Sequence, residues 1–339
     1  MKITRRRVLG GLAAAPVTMA FARHARAATT LKISHQFPGG TIELGDFRDR
    51  LCRKFAAEVT KHTNGALVFE IYPNSSLMKT NAQFSSLRKG ALDFSLYPLA
   101  YAGGEVHASN LGLMPCLVTS YEQAAKWKTA KVGQAMVKAL EDKGVKIISW
   151  VWQAGGVASR SKRVLIPDDV KGMKIRGGSR EMDLMFTAAG AQVSTMPSNE
   201  IYVGLQTGSL DAAVTSSTSL ISFQLAELCK ALTAPRGHSF WFMLEPLLMS
   251  KAIFDALPAD QQKAILEVGA SMEAFGEAEA KADDNNLEKV YAAKGATIEI
   301  LTPEVLAKWR AVAEASAWKD YAAKSPEAAE LLKLALEVV

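Results

Sequence analysis

The segment Leu87-Arg88-Lys89-Gly90-Ala91-Leu92-Asp93 returns later in the chain as Leu205-Gln206-Thr207-Gly208-Ser209-Leu210-Asp211. Each copy ends a helical stretch on a glycine, which takes a left-handed cap without a Cβ clash. Each then leads into a short apolar strand, Phe94 to Tyr97 or Ala212 to Thr215. Helix, glycine and strand is common grammar, so the match alone says little. Its placement says more, because each copy also follows a strand, Val68 to Tyr72 in the first and Met173 to Arg176 in the second. The same unit at matching points of two α/β segments predicts two similar lobes.

The rest of the chain fits that division. Leu31 to His35 alternates as a first strand, and Phe47, Leu51, Phe55 and Val59 recur at helical spacing until Asn64-Gly65. Val145 to Trp152 is a β-prone run with no Pro or Gly, suited to a strand passing from one lobe to the other, and Ser239 to Ser250 is a return crossing. A long Ala/Glu/Lys-rich helix is predicted from about Ala259 to Lys294, followed by an amphipathic helical region with Trp309 and Trp318. Two lobes joined by crossing strands make a hinge with a cleft between them. The expected fold is therefore α/β and two-lobed, with residues 28–150 and 240–275 in the first lobe and 151–239 and 276–339 in the second.

Residues 1–27 read as a secretory signal peptide: a basic start, an apolar run from Val8 to Phe21, and the small-residue end Ala25-Arg26-Ala27. Arg5-Arg6-Arg7 suits the twin-arginine route, with an ordinary Sec leader as the alternative. This segment holds six of the 40 Lys/Arg and none of the 34 Asp/Glu, so the remaining ~310 residues carry no net charge. Nucleic-acid binding loses its support, since the basic excess belongs to the leader. The location expected is the periplasm.

No catalytic signature stands out. GxSxG, HExxH, a P-loop and GxGxxG after a strand are all absent. His35, His62, His107 and His238 are too scattered to suggest a metal, and Cys52, Cys116 and Cys229 offer neither CxxC spacing nor a disulfide framework. No cofactor, metal or catalytic residue is expected.

Arg176 is different, because it ends a predicted strand immediately before Gly177-Gly178-Ser179, where a helix should begin. Ligands of open α/β sheets bind at the carboxyl ends of strands, and a guanidinium there can grip a carboxylate through two parallel hydrogen bonds. A structural ion pair to Asp168 or Asp169 is the competing reading.

Three stretches carry a family resemblance. Ile166-Pro167-Asp168-Asp169-Val170-Lys171-Gly172-Met173-Lys174-Ile175-Arg176 resembles the P-x-D-L-K-G-L-K-I-R signature of DctP-type solute-binding proteins, which serve tripartite ATP-independent periplasmic (TRAP) transporters. Met196 to Asp211 is similar to the family's P-x-x-E-x-Y-x-A-L-Q-x-G-x-V-D-G, and Thr63 to Leu77 to its T-x-G-x-x-x-x-x-x-Y-P-x-x-x-L. The resemblance implies a periplasmic-binding-protein-like fold with a central cleft, a long helix spanning both lobes, and Arg176 as the carboxylate-holding residue. It places Tyr97 and Tyr101, Thr215 and Ser216, and Gln36 and Phe37 at the pocket. Trp152 and Phe240 complete the expected binding set as aromatics near the cleft. It also implies the integral-membrane TRAP permease as a partner, with the chain a monomer or a homodimer through the long helix.

The chain departs from the pattern at one point. Many members carry a second basic residue about twenty positions before the signature arginine, where this chain has Gly156. The expected ligand is therefore a monocarboxylate with an apolar or aromatic body. Alternatives are a receptor for an ATP-driven importer, or a periplasmic enzyme acting on a carboxylic acid on the same scaffold.

Overall fold

The computed structural model describes residues 28–339, so the expected leader lies outside the described residues. Twelve strands occur in it. The first four are β1 (Thr29–Ser34), β2 (Leu67–Tyr72), β3 (Phe94–Leu96) and β4 (Val145–Ser149). There follow β5 (Trp152–Ser159), β6 (Lys174–Arg176), β7 (Gln192–Val193) and β8 (Ala212–Ser216). The last are β9 (Ala231–Ala234), β10 (Phe242–Leu244), β11 (Leu247–Ser250) and β12 (Thr297–Ile300).

They form two sheets of like topology. The first runs β2-β1-β3-β11-β4, the second β7-β6-β8-β5-β9-β12, with β10 added to β5. In both, the first three strands are parallel and the fourth runs antiparallel. The repeated segment occupies the same place in each. Gly90 and Gly208 end their helices at φ 69° and 76°. The next aspartate then ties its strand to the neighbouring central strand: Asp93 Oδ2 accepts from Lys32 N at 2.7 Å, and Asp211 Oδ2 accepts from Lys174 N at 2.9 Å. A seven-residue likeness thus marks one topological role used twice.

Local structure follows the apolar spacing. Asp46 caps the helix Phe47–His62 by accepting from Arg48 N, and Phe47, Leu51, Phe55 and Val59 lie buried on one face. Each contributes about 1.5–3 kcal/mol by leaving water. Asn64 (φ 50°) and Gly65 (φ 78°) turn the chain into β2.

The expected crossing strand Val145 to Trp152 is in fact two strands. It leaves β11 in the first sheet, breaks at Trp150-Val151, and enters the second sheet as β5 between β8 and β9. One straight strand cannot pair in two separate sheets. The return crossing falls at Glu245-Pro246, because β10 pairs with β5 in the second sheet. Residues 242–244, assigned from sequence to the first lobe, therefore pair within the second. Glu245 N donates to Val151 O at 2.7 Å, joining the two crossings.

The helix Ala259–Ala293 packs on the helix Phe47–His62 and β4, then on β5, β9 and β12, and so spans both lobes. The helical tail is fixed by two buried tryptophans. Trp309 Nε1 donates to Leu165 O and Trp318 Nε1 to Pro115 O, both at 2.8 Å. Cys52, Cys116 and Cys229 are buried free thiols. Among the described residues no helix is long and apolar enough to cross a membrane.

Candidate functional site

Arg176 is the last residue of β6, and its side chain is 1% exposed. Nε donates to Met196 O at 3.1 Å and Nη1 to Val214 O at 2.9 Å. Nη2 donates to the hydroxyl of Tyr101 at 2.6 Å. Tyr101 lies in the turn Leu99–Ala102 just after β3, so this bond runs from one lobe to the other. Its hydroxyl also accepts from Ser198 N at 3.2 Å, holding both sides of the second lobe's rim.

The competing ion-pair reading fails. Asp168 pairs with Lys171 at 2.9 Å, and Asp169 accepts from Leu165 N and Ile166 N. Among the described residues no carboxylate lies within 4.0 Å of Arg176, whose hydrogen-bond partners are two carbonyls and a phenol. Three of its five N–H groups are engaged, which leaves two for a ligand. A buried cation without an anionic partner is costly, and an incoming carboxylate removes that cost. Burial pushes the nearby Asp183 carboxyl above its usual range, against the hydrogen bond from Thr195 and the charge of Arg176.

The immediate surroundings of Arg176 are aromatic, while Arg180 and Lys324 line the cavity beside it. Tyr97 is buried and packs edge-on against Tyr101, with ring centroids 5.9 Å apart. Thr215, the last residue but one of β8, stands opposite Gly156 of β5. A Cβ built at Gly156 would overlap the carbonyl oxygen of Thr233, and one at Gly155 would overlap both Thr215 O and the ring of Trp241. The Gly-Gly pair thus lets three strands and an indole close together. No larger residue fits without moving the sheet. Trp241 Nε1 donates to Gly177 O at 3.2 Å, beside Arg176.

The other expected residues are placed elsewhere. Phe37 and Ser216 lie around a second buried arginine, Arg48. The Arg48 guanidinium sits 3.6 Å over the Phe37 ring, and Nη1 donates to Ser216 Oγ at 3.4 Å. Ser216 is also the N-cap of the helix Ser217–Ser222. Gln36 Oε1 accepts from Thr80 Oγ1 at 3.4 Å. Phe240 packs against Phe186 and Trp309 in the core. Trp152 stacks edge-on with Trp127 and lines a separate cavity of about 340 Å³ with Trp150, Tyr121 and Glu273. Sequence reasoning passed over Arg48, which reads as one more charge in Asp46-Phe47-Arg48-Asp49-Arg50. The signal available was Asp46 as a helix cap, since a cap carboxylate can hold an arginine two residues on.

Beside Tyr101 a cavity of about 540 Å³ opens between the lobes, walled by Asn81, His107 and Asn110 on one side and Arg180, Thr195 and Met196 on the other. Arg176 is screened from it by Tyr101 and Gly178, which do line it. Its volume lies in the usual range of small-molecule sites.

Residues 47–325 match the family described as DctP, bacterial extracellular solute-binding protein, family 7. The chain belongs to this family. It is 59% identical over 333 residues to a solute-binding protein of Albidiferax ferrireducens, covering 98% of this chain and 97% of the relative. A C4-dicarboxylate-binding periplasmic protein of Rhodobacter capsulatus is 27% identical over 91% of each chain. Among solved structures, a TRAP periplasmic solute-binding protein from Rhodoferax ferrireducens with bound malonate is similar, with a TM-score of 0.90 and 61% identity over 91% of this chain and 98% of the other. Family members of this kind are periplasmic receptors for TRAP transporters and not enzymes, and so is this chain. Its two-lobed fold is shared with that structure.

Proposed function

We propose that this receptor captures a small organic carboxylate on Arg176 by hinge closure and delivers it to the two membrane subunits of a TRAP permease. The observation that carries this reading is a guanidinium buried at a strand end and bridged to the opposite lobe, with no carboxylate among the described residues in ion-pair contact with it. Closure expels water and strengthens the ion pair. The hinge is assigned to the crossings at Trp150-Val151 and Glu245-Pro246, with the lobes formed by residues 28–150 and 151–239 and completed by the later segments.

The ligand is assigned as a monocarboxylate with an apolar or aromatic body. Tyr97, Tyr101 and Trp241 gather near Arg176, and the packing at Gly155-Gly156 leaves no place for a second cation there. The malonate in the Rhodoferax relative supports an organic acid and sets the competing case of a short diacid. A thermal-shift screen of aliphatic and aromatic monoacids beside malonate tests both levels, since a ligand that binds only the folded form raises its stability. Stabilisation by aromatic or branched monoacids above malonate is expected. Tighter binding of short diacids would refute the monocarboxylate reading and keep the carboxylate site. No response to any acid would remove the site itself. The chain works as a monomer or as a homodimer through the long helix, which sedimentation distinguishes.

A further inference from the structure

Behind the cleft, where the two crossings meet, one cation and two acids are buried together. Arg48 closes on both oxygens of Asp46, with Nε at 2.9 Å and Nη2 at 2.6 Å. Burial works against the Asp46 carboxylate, but the charge and hydrogen bonds of Arg48 outweigh it and hold the group below its usual range. The third nitrogen, Nη1, is shared. It faces Ser219 Oγ at 3.0 Å, Ser216 Oγ at 3.4 Å and Glu245 Oε2 at 3.3 Å. Glu245 Oε2 also accepts from Gln153 Nε2.

Two oxygens remain, Glu245 Oε1 and Gln153 Oε1. Both are buried and neither has a partner. An ionised carboxyl and an amide oxygen are both acceptors, so neither can satisfy the other. Exchanging the ends of the Gln153 amide does not help, because an amide oxygen then meets Glu245 Oε2 instead. A single proton on the carboxyl would supply the donor that both oxygens lack. The acid and the amide then form a ring in which N–H donates to one carboxyl oxygen and O–H donates to the amide oxygen.

We propose that Glu245 is a neutral carboxylic acid in the folded protein, paired in this way with Gln153, and that the pair ties the strand crossing to both lobes. Charge counting agrees. Arg48 is already neutralised by Asp46, and a second buried carboxylate would be left in excess. Burial pushes the Glu245 carboxyl up, with Asp46 adding to it and Arg48 opposing. The charged and titratable groups facing the cluster are Arg48 and Asp46 from the first lobe and Asp283 from the long helix, whose own carboxyl burial also raises. Ser216 and Ser219 reach it from the second lobe. This inference does not depend on the ligand.

The sign follows from linkage. An acid whose folded form holds its proton more tightly adds stability that is complete below its unfolded value of about 4.3 and is lost as pH rises toward the folded value. Glu245→Gln keeps both hydrogen bonds without a proton to lose. It is expected to fold as the wild type does and to gain relative to it, up to about tenfold in the unfolding constant per pH unit across that window. Carbon-13 NMR of the intact protein, with Glu245 assigned through its own backbone, should show the Cδ of a protonated carboxyl at neutral pH. An ionised Cδ shift there overturns the proposal. So does a Glu245→Gln protein that is unfolded, or one that tracks the wild type at every pH.

Discussion

The hydroxyl of Tyr101 stands 2.6 Å from Nη2 of Arg176, and the two residues come from opposite lobes. Because that oxygen already accepts from Arg176 and from Ser198 N, its own proton is free to be donated. A carboxylate entering the cavity would meet the phenolic O–H first, because Tyr101 and Gly178 screen the guanidinium from it.

Arg176→Ala should nearly abolish binding of the organic acid. A desolvated anion without its partner costs on the order of 3–5 kcal/mol, or roughly a hundred- to a few-thousand-fold in affinity. Titration calorimetry with the best acid from the screen reads this directly, and an affinity within a few-fold of wild type would move the site elsewhere.

Tyr101→Phe removes only an oxygen, yet it breaks the contact between lobes. A hydrogen bond to a charged group is worth about 1.5–3 kcal/mol, so affinity should drop roughly 10- to 150-fold. The melting temperature should change little by comparison. Equal loss of stability and affinity would mean that the tyrosine is a packing residue.

Placing arginine at Gly156, to supply the second cation common in the family, should fail. The new Cβ would overlap Thr233 O in the middle of the second sheet, costing roughly 3 kcal/mol or more. Circular dichroism melting checks it. A variant as stable as wild type would show that the sheet can open there, and would reopen the case for a diacid.

Asp284, on the spanning helix, accepts from the Tyr121 hydroxyl at 2.7 Å. Burial lifts its carboxyl to about 6, against the hydrogen bond from Tyr121. Since the folded value lies above the unfolded one of about 3.9, this group stabilises the fold fully at low pH and loses that contribution as pH rises through about 6. Asp284→Asn should flatten that part of the profile, by roughly 2–3 kcal/mol, in chemical unfolding followed from pH 4 to 7. An unchanged profile would place the titration elsewhere.

Local chemistry was enough to read much of this protein from its sequence. Phe47, Leu51, Phe55 and Val59 sit four apart, and that spacing dictates a helix with one buried face before any partner is known. Gly90 and Gly208 end their helices because only glycine takes that cap cheaply, and the aspartates after them do the same work in both lobes. The position of Arg176 at a strand end was legible because its strand, its following glycines and the helix cap Ser179 are neighbours in the chain.

What depends on distant partners was not legible. Adjacent residues of an extended chain point to opposite sides, so which of Phe240 and Trp241, just before β10, approaches Arg176 hangs on a pairing register set by residues far away in sequence; the fold turned Phe240 into the core and Trp241 toward Gly177. The break at Trp150-Val151 exists because two sheets compete for one run of strand-forming residues. Arg48 became a buried centre only when Glu245, Ser216 and Ser219 were brought around it, from positions that no local pattern connects. Sequence sets what each segment prefers by itself, and the tertiary structure alone decides which side chains share a low-dielectric space, where their charges must be settled together.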